Sequence, residues 1–336
     1  MCAYLAESQN LGLFVRASSK TIILKDKKNA EKWTTFVTAG EPGIGKSTFG
    51  ADDCDDFLDA QKGERVRFGA DDAVVILVEP SNKKAGCAGL ERGIYDRSVG
   101  YAPDCPYVKS VQSAENCMAA KDDDGRIYVI YEDVYGKNGR ALSERKSLPG
   151  ADECLDVPWP DYLSILHSDS TLPPLLKIED NTLFAALFVS IGSEGGYASV
   201  VSASARAARV KTAAQTAGFK GLAVNCGFFD RGGGDKAKIG RELALSFYPA
   251  LAKGEIKFEP YRLLPGALVP AKGAMEKLCK GYDAKFSFDA IKPKGEWAKL
   301  AAAALEKRIK NLRASGLNEE FVAPLLAALP RFEKEF

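Results

Sequence analysis

Apolar runs bounded by turn residues alternate along the chain with segments of helical period, and this order predicts its elements. Thr21-Ile22-Ile23-Leu24 predicts a short strand, followed by the basic turn Lys25–Lys28. Residues 33–38, Trp-Thr-Thr-Phe-Val-Thr, are β-branched and aromatic and end at a glycine-rich turn, which predicts a buried strand. From Ser47 to Gln61 the apolar Ala51, Cys54, Phe57 and Leu58 share one helical face and Asp52, Asp55, Asp56 and Asp59 the other. Gly63 is the stop for that predicted helix. Residues 73–78 and 127–131 are uninterrupted apolar runs and predict fully buried parallel strands.

Residues 136–180 mix glycine, proline and charge and read as an insertion or connector. Beyond them the pattern predicts a strand at 198–202, a helix from Ala205 to Ala217 closed by Gly218, and a strand at 221–226. From Asp235 onward it turns helical: a helix over 296–313 stops at Gly316, and Asn318 caps a last helix that Pro330 ends. Strands alternating with helices predict βαβ units. The expected fold is a three-layer α/β core with a mostly parallel sheet over residues 10–230, plus a helical C-terminal region at 231–336.

Composition narrows the class. The 336 residues are 46% hydrophobic and 27% charged, which excludes collagen-like and disordered chains. A net charge of +1 argues against a strongly electrostatic nucleic-acid binder. No apolar run approaches the ~18 residues of a membrane span. Eight cysteines without a C-x-x-C pair and a single histidine, His167, argue against a zinc site. The first residues carry no basic-then-apolar leader, so an intracellular location, cytoplasm or nucleus, is expected.

One motif carries chemistry. Gly40-Glu41-Pro42-Gly43-Ile44-Gly45-Lys46-Ser47 matches G-x-x-x-x-G-K-[ST] at every fixed position, after a predicted strand and before a predicted helix. The glycines let backbone N–H groups turn inward to phosphate oxygens. Lys46 is suited to the β- and γ-phosphates, the Ser47 hydroxyl to Mg²⁺, and Thr48 to a further phosphate contact. A metal–nucleotide site also calls for a carboxylate at the end of a neighbouring strand. Glu132-Asp133, after the 127–131 run, are the candidates: Asp133 for the metal and Glu132 for the attacking water, roles that can be exchanged. Glu79 and the run Asp122–Asp124 are the rival acids. Ser202 and Ser204 are the candidates for sensing the γ-phosphate. Arg206, with Arg209 and Arg241 behind it, is the candidate transition-state cation, although a solvated helix face explains these arginines as well. Asn82-Lys83-Lys84-Ala85 lacks the aspartate of the guanine-reading N-K-x-D, so the reading leans to adenine.

On these residues the chain resembles P-loop NTPases of the broad AAA-like group. The order Leu13–Arg16, Gly40–Ser47, residues 128–134, residues 200–204, then Val224-Asn225-Cys226 is similar, more loosely, to NTPase modules of the Crinkler and retrotransposon-hot-spot type. The resemblance implies Mg²⁺-dependent ATP binding and hydrolysis that moves the helical part against a protein or nucleic-acid partner, in a monomer or a homo-oligomer. Its rivals are a nucleotide-binding switch without turnover, a P-loop small-molecule or nucleotide kinase, and a nucleic-acid-dependent ATPase.

Overall fold

The computed structural model describes residues 5–334 apart from 7, 10, 42, 52–53, 80–83, 92, 98–110, 126, 132–138, 148–149, 152–153 and 192–200. The chain opens with β1 (Gly12–Val15), β2 (Ala17–Lys25) and β3 (Glu31–Gly40), then α1 (Lys46–Ala51). A run of strands follows: β4 (Arg65–Phe68), β5 (Val74–Glu79), β6 (Lys84–Gly89), β7 (Gly93–Arg97), β8 (Val111–Glu115), β9 (Met118–Lys121), β10 (Ile127–Tyr131) and β11 (Arg140–Glu144). Then come β12 (Tyr162–His167), β13 (Leu175–Ile178), α2 (Asn181–Ile191), α3 (Ala203–Ala217) and β14 (Lys220–Asn225). The remainder holds β15 (Phe228–Asp230), β16 (Lys236–Lys238), α4 (Arg241–Lys253), β17 (Phe258–Pro260), β18 (Ala267–Pro270), α5 (Tyr282–Phe286), α6 (Lys294–Ala314) and α7 (Glu319–Lys334).

The main sheet has eight strands in the order β17-β18-β13-β14-β12-β3-β2-β4. Only β3–β12 and β12–β14 pair in parallel; the other five neighbouring pairs are antiparallel. The expected mostly parallel sheet is therefore wrong, and the sheet is mixed. Local geometry gives the reason. Asp26 accepts bonds from the Lys28 and Ala30 N–H groups, and Asn29 takes a φ of 62°, closing a tight turn that forces β2 back along β3. The apolar run at 74–79 also pairs antiparallel, between β1 and β6, in a separate three-stranded sheet. Its Leu77 is exposed, so the run is not buried on both faces. An apolar stretch marks burial but not strand direction.

Helices cover both faces of the main sheet. Leu163 and Ile165 of β12, Val37 and Ala39 of β3, and Ala223 of β14 belong to a core shared with α2, α3 and α7. Leu166, Phe36, Leu222 and Val224 point the other way and join a second core with Phe49 of α1 and the buried face of α4. This is the period-two alternation of a strand buried on both faces. Helix α6 serves both cores, with Trp297 and Ala301 in one and Ile309 and Leu312 in the other.

Several elements depart from expectation. The stretch read as a connector contains the interior strand β12. The region from Asp235 onward adds β17 and β18 to the same sheet. The helix expected from Ser47 to Gln61 ends as α1 at Ala51, and Cys54 has a φ of 59°, which interrupts any continuation. The last helix continues through Pro330 to Lys334. The strand expected at 198–202 is not seen at its described end, where Ser202 is instead the N-cap of α3.

Gly221 shows how tightly the layers meet. A Cβ there would lie 2.1 Å from Cδ2 of Phe184, a ring of α2 that is 1% exposed. Gly221→Ala is expected to destabilise the protein by ~1–3 kcal/mol through overpacking. Chemical denaturation measures this; an unchanged midpoint would show that α2 can shift away.

Candidate functional site

The loop from Gly40 to Thr48 leaves the carboxyl end of β3, an interior strand. The ends of its parallel neighbour β12 and of β14 beyond it lie along the same edge: Leu166 is level with Gly40, and His167 with Asn225. The carboxyl edge of such strands is where ligands of open α/β sheets bind.

The loop geometry follows from its glycines. Gly43 and Gly45 have φ values of 81° and 114°, a region that side chains disfavour. A Cβ built on Gly45 meets nothing within 4 Å, so the space above this residue is open. Gly40, in contrast, is in close contact: its Cβ would lie 2.8 Å from Cγ2 of Ile44. Lys46 is buried and folds back so that its Nζ donates to the Glu41 carbonyl at 3.2 Å. The Ser18 hydroxyl of β2 donates to the Lys46 carbonyl at 2.7 Å, tying α1 to the sheet. Gly50 permits that approach, since a Cβ there would lie 2.6 Å from Cβ of Ser18. Ser47 and Thr48 are half-buried at the start of α1. Pro42 lies outside the described residues.

The other expected site residues scatter. Glu132 and Asp133 lie outside the described residues, as does the side chain of Glu79. The strand before Glu132, β10, is not a neighbour of β3; it pairs antiparallel with β9 in a separate two-stranded sheet. Asp122–Asp124 belong to the turn of that hairpin, where the Gly125 N–H donates to the Asp122 carbonyl. The Ser202 hydroxyl caps α3 by accepting from the Ala205 N–H. The Ser204 hydroxyl donates to the Gly316 carbonyl and accepts from the Asn318 N–H, docking α7. Arg206 is buried on α3 with its guanidinium 5.5 Å from the Phe188 ring, on the face opposite α1. Arg209 is half-buried on the same helix, and Arg241 is exposed at the start of α4. The structure thus keeps Gly40–Thr48 together, while Ser202 caps α3, Ser204 engages the α6–α7 turn and Arg206 packs on Phe188.

A second polar cluster stands at the same carboxyl edge and was not expected from the sequence. The Asp169 carboxylate accepts from the Thr171 N–H at 2.8 Å, from the Thr171 hydroxyl at 2.7 Å, and from the Arg308 guanidinium. Arg308 also donates to the Ser190 hydroxyl of α2 at 3.2 Å. The Asp169 N–H donates to Nδ1 of His167, whose Nε2 is buried without a partner among the described residues. Burial holds the His167 pKa down at about 4, with Asp169 pulling it upward and Arg308 downward. Burial alone would raise Asp169, but Arg308, Thr171 and His167 together carry it below its ordinary value. Asn225 ties the edge together, donating to the carbonyls of Asp169, Leu172 and Phe228. Strand alternation turns His167 toward α2, away from Ile44 and Phe49 of the loop side. The sequence held one hint, an acid two residues beyond an apolar strand; Arg308 is 139 residues away.

Among the described residues no three His, Cys, Asp or Glu side chains gather into a group that could hold a metal ion. No described helix is long and apolar enough to cross a membrane. Compared with models of known protein families and with curated proteins, the chain matches none.

Proposed function

We propose that the chain binds a nucleoside triphosphate, ATP by preference, with Mg²⁺ at Gly40–Thr48, and hydrolyses it to drive a conformational switch on a protein or nucleic-acid partner. The observation that supports this is the loop itself. Gly43 and Gly45 hold conformations that suit phosphate-facing N–H groups, open space lies over Gly45, and a buried lysine waits on a neighbouring carbonyl. Lys46 would exchange the Glu41 carbonyl for phosphate oxygens, and the backbone N–H groups would orient them. Mg²⁺, when bound, would neutralise phosphate charge, and the Ser47 hydroxyl would hold it.

A second reading, nucleotide binding without significant turnover, is favoured by one observation. The carboxylate at the end of the strand beside β3 is Asp169, and it is engaged by Arg308 and Thr171 on the far face.

Equilibrium Mg–ATP binding and phosphate release, measured on wild type and Lys46→Ala, test the proposal. Loss of one charged hydrogen-bond partner should weaken ATP binding roughly ten- to a hundredfold and abolish turnover. Circular dichroism checks that the variant, altered at a buried position, remains folded. Binding without turnover in wild type selects the second reading. A folded wild type that binds no ATP overturns both.

A further inference from the structure

Four to five strands along the sheet from β3, a cleft of about 180 Å³ opens between β15, the β17–β18 hairpin and α5. Five aromatic side chains line it: Phe229, Tyr261, Tyr282, Phe286 and Phe288. The planes of Tyr282 and Phe286 are inclined by 53° with centroids 5.2 Å apart, so they form a corner and not a stack. Phe229 and Phe288 both lean on the indole of Trp297, which is fully buried behind them.

Charge at the rim is mixed. Glu259, Asp283 and Asp289 line the cleft against Arg262 and Lys272. Lys272 sits 4.0 Å from Asp289, and with Lys294 over Phe288 the carboxylates and cations around the cleft balance. Burial pushes the Tyr282 phenol up, with Asp283 adding, so the ring stays neutral at physiological pH. One ring of the set already accepts a cation, since Lys294 Nζ lies 4.8 Å over Phe288.

These features select a ligand class. A cluster of aromatic rings attracts a cation. A small, strongly hydrated ion would lose its water shell against apolar walls, whereas a methylated ammonium carries its charge under an apolar surface. Volume agrees: an apolar cavity of about 150 Å³ holds a benzene, close in bulk to a trimethylammonium group. We propose that this cleft binds a methylated ammonium group, at a site separate from the phosphate loop.

Titration with choline tests this, alongside its neutral isostere in which a quaternary carbon replaces the nitrogen. Trp297 fluorescence and the upfield shift of the ligand methyl resonances are the readouts. Choline is expected to bind roughly five- to thirtyfold tighter than the isostere, the range that a cation–π contribution supplies. Phe288→Ala removes a wall and should weaken choline to the level of the isostere. Glu259→Gln, at an exposed rim position, should weaken choline about two- to fivefold and leave the isostere unchanged. Lys46→Ala should leave choline binding intact. A peptide carrying trimethyllysine, titrated in parallel, shows by the tighter partner whether the group is presented on a protein or a small molecule. Equal affinity for choline and isostere, or no saturable choline binding by the folded wild type, overturns the proposal.

Discussion

Trp297→Ala is expected to lower the unfolding free energy by ~3–5 kcal/mol, the range for removing a fully buried large aromatic. Trp297 has no exposed surface and is among the largest buried side chains. Its ring meets Phe229 after β14, Phe288 before α6, and Phe332 of α7, at centroid distances of 6.2 to 6.4 Å. The residue therefore joins the sheet edge to both C-terminal helices. Truncation leaves a cavity that three other rings cannot fill without moving α6. Trp297→Phe keeps most of the apolar contact and should lose less than half as much. Urea unfolding followed by far-UV circular dichroism gives both values. A loss below about 1 kcal/mol for the alanine variant would mean that the ring does not carry this junction.

Arg308→Met is expected to cost ~2–4 kcal/mol at pH 7, because it leaves the Asp169 carboxylate, among the described residues, with Thr171 alone to satisfy it. Asp169→Asn combined with Arg308→Met should recover part of that loss, since the double variant leaves no orphaned charge. Equal losses in the single and double variants would remove the ion pair as the cause. The same cluster sets an acid dependence. His167 titrates at about 4 in the folded protein and near 6.5 in the unfolded chain. Between those values the unfolded state binds more protons, so stability is complete above the upper value and falls as pH drops toward the lower one. The total loss is on the order of 3 kcal/mol. Asp169, shifted below its ordinary value, adds a further loss at still lower pH. His167→Gln should flatten the curve between pH 4 and 6.5. Arg308→Met, by removing a cation that holds His167 down, should raise the folded His167 pKa and so shrink the part of the acid loss that this histidine contributes.

What could be read from the chain divides along physical lines. Elements whose signal is local were legible: β3 before the glycine loop, α3 with its Gly218 stop, β14, and the α6–α7 pair. Their periodicity, caps and breakers act within a few residues. The glycines of Gly40–Ser47 were legible for the same reason, since positive φ is a property of single residues. Strand direction and neighbourhood were not. The runs at 74–79 and 127–131 have the composition of buried parallel strands, yet they pair antiparallel and outside the main sheet. The partner beside β3 comes from 162–167, inside a stretch that read as a connector. Apolarity reports that a strand is covered; which strand covers it depends on chain connections closing over more than a hundred residues.

The sequence by itself therefore determined a G-x-x-x-x-G-K-S motif with its glycine turn, and the helices α3, α6 and α7. Only the tertiary structure decided that its sheet is mixed, that Arg308 reaches Asp169 at the edge, and that five rings meet around a cleft. Those contacts join residues far apart in the chain, and no local preference encodes which of many such meetings a fold will make.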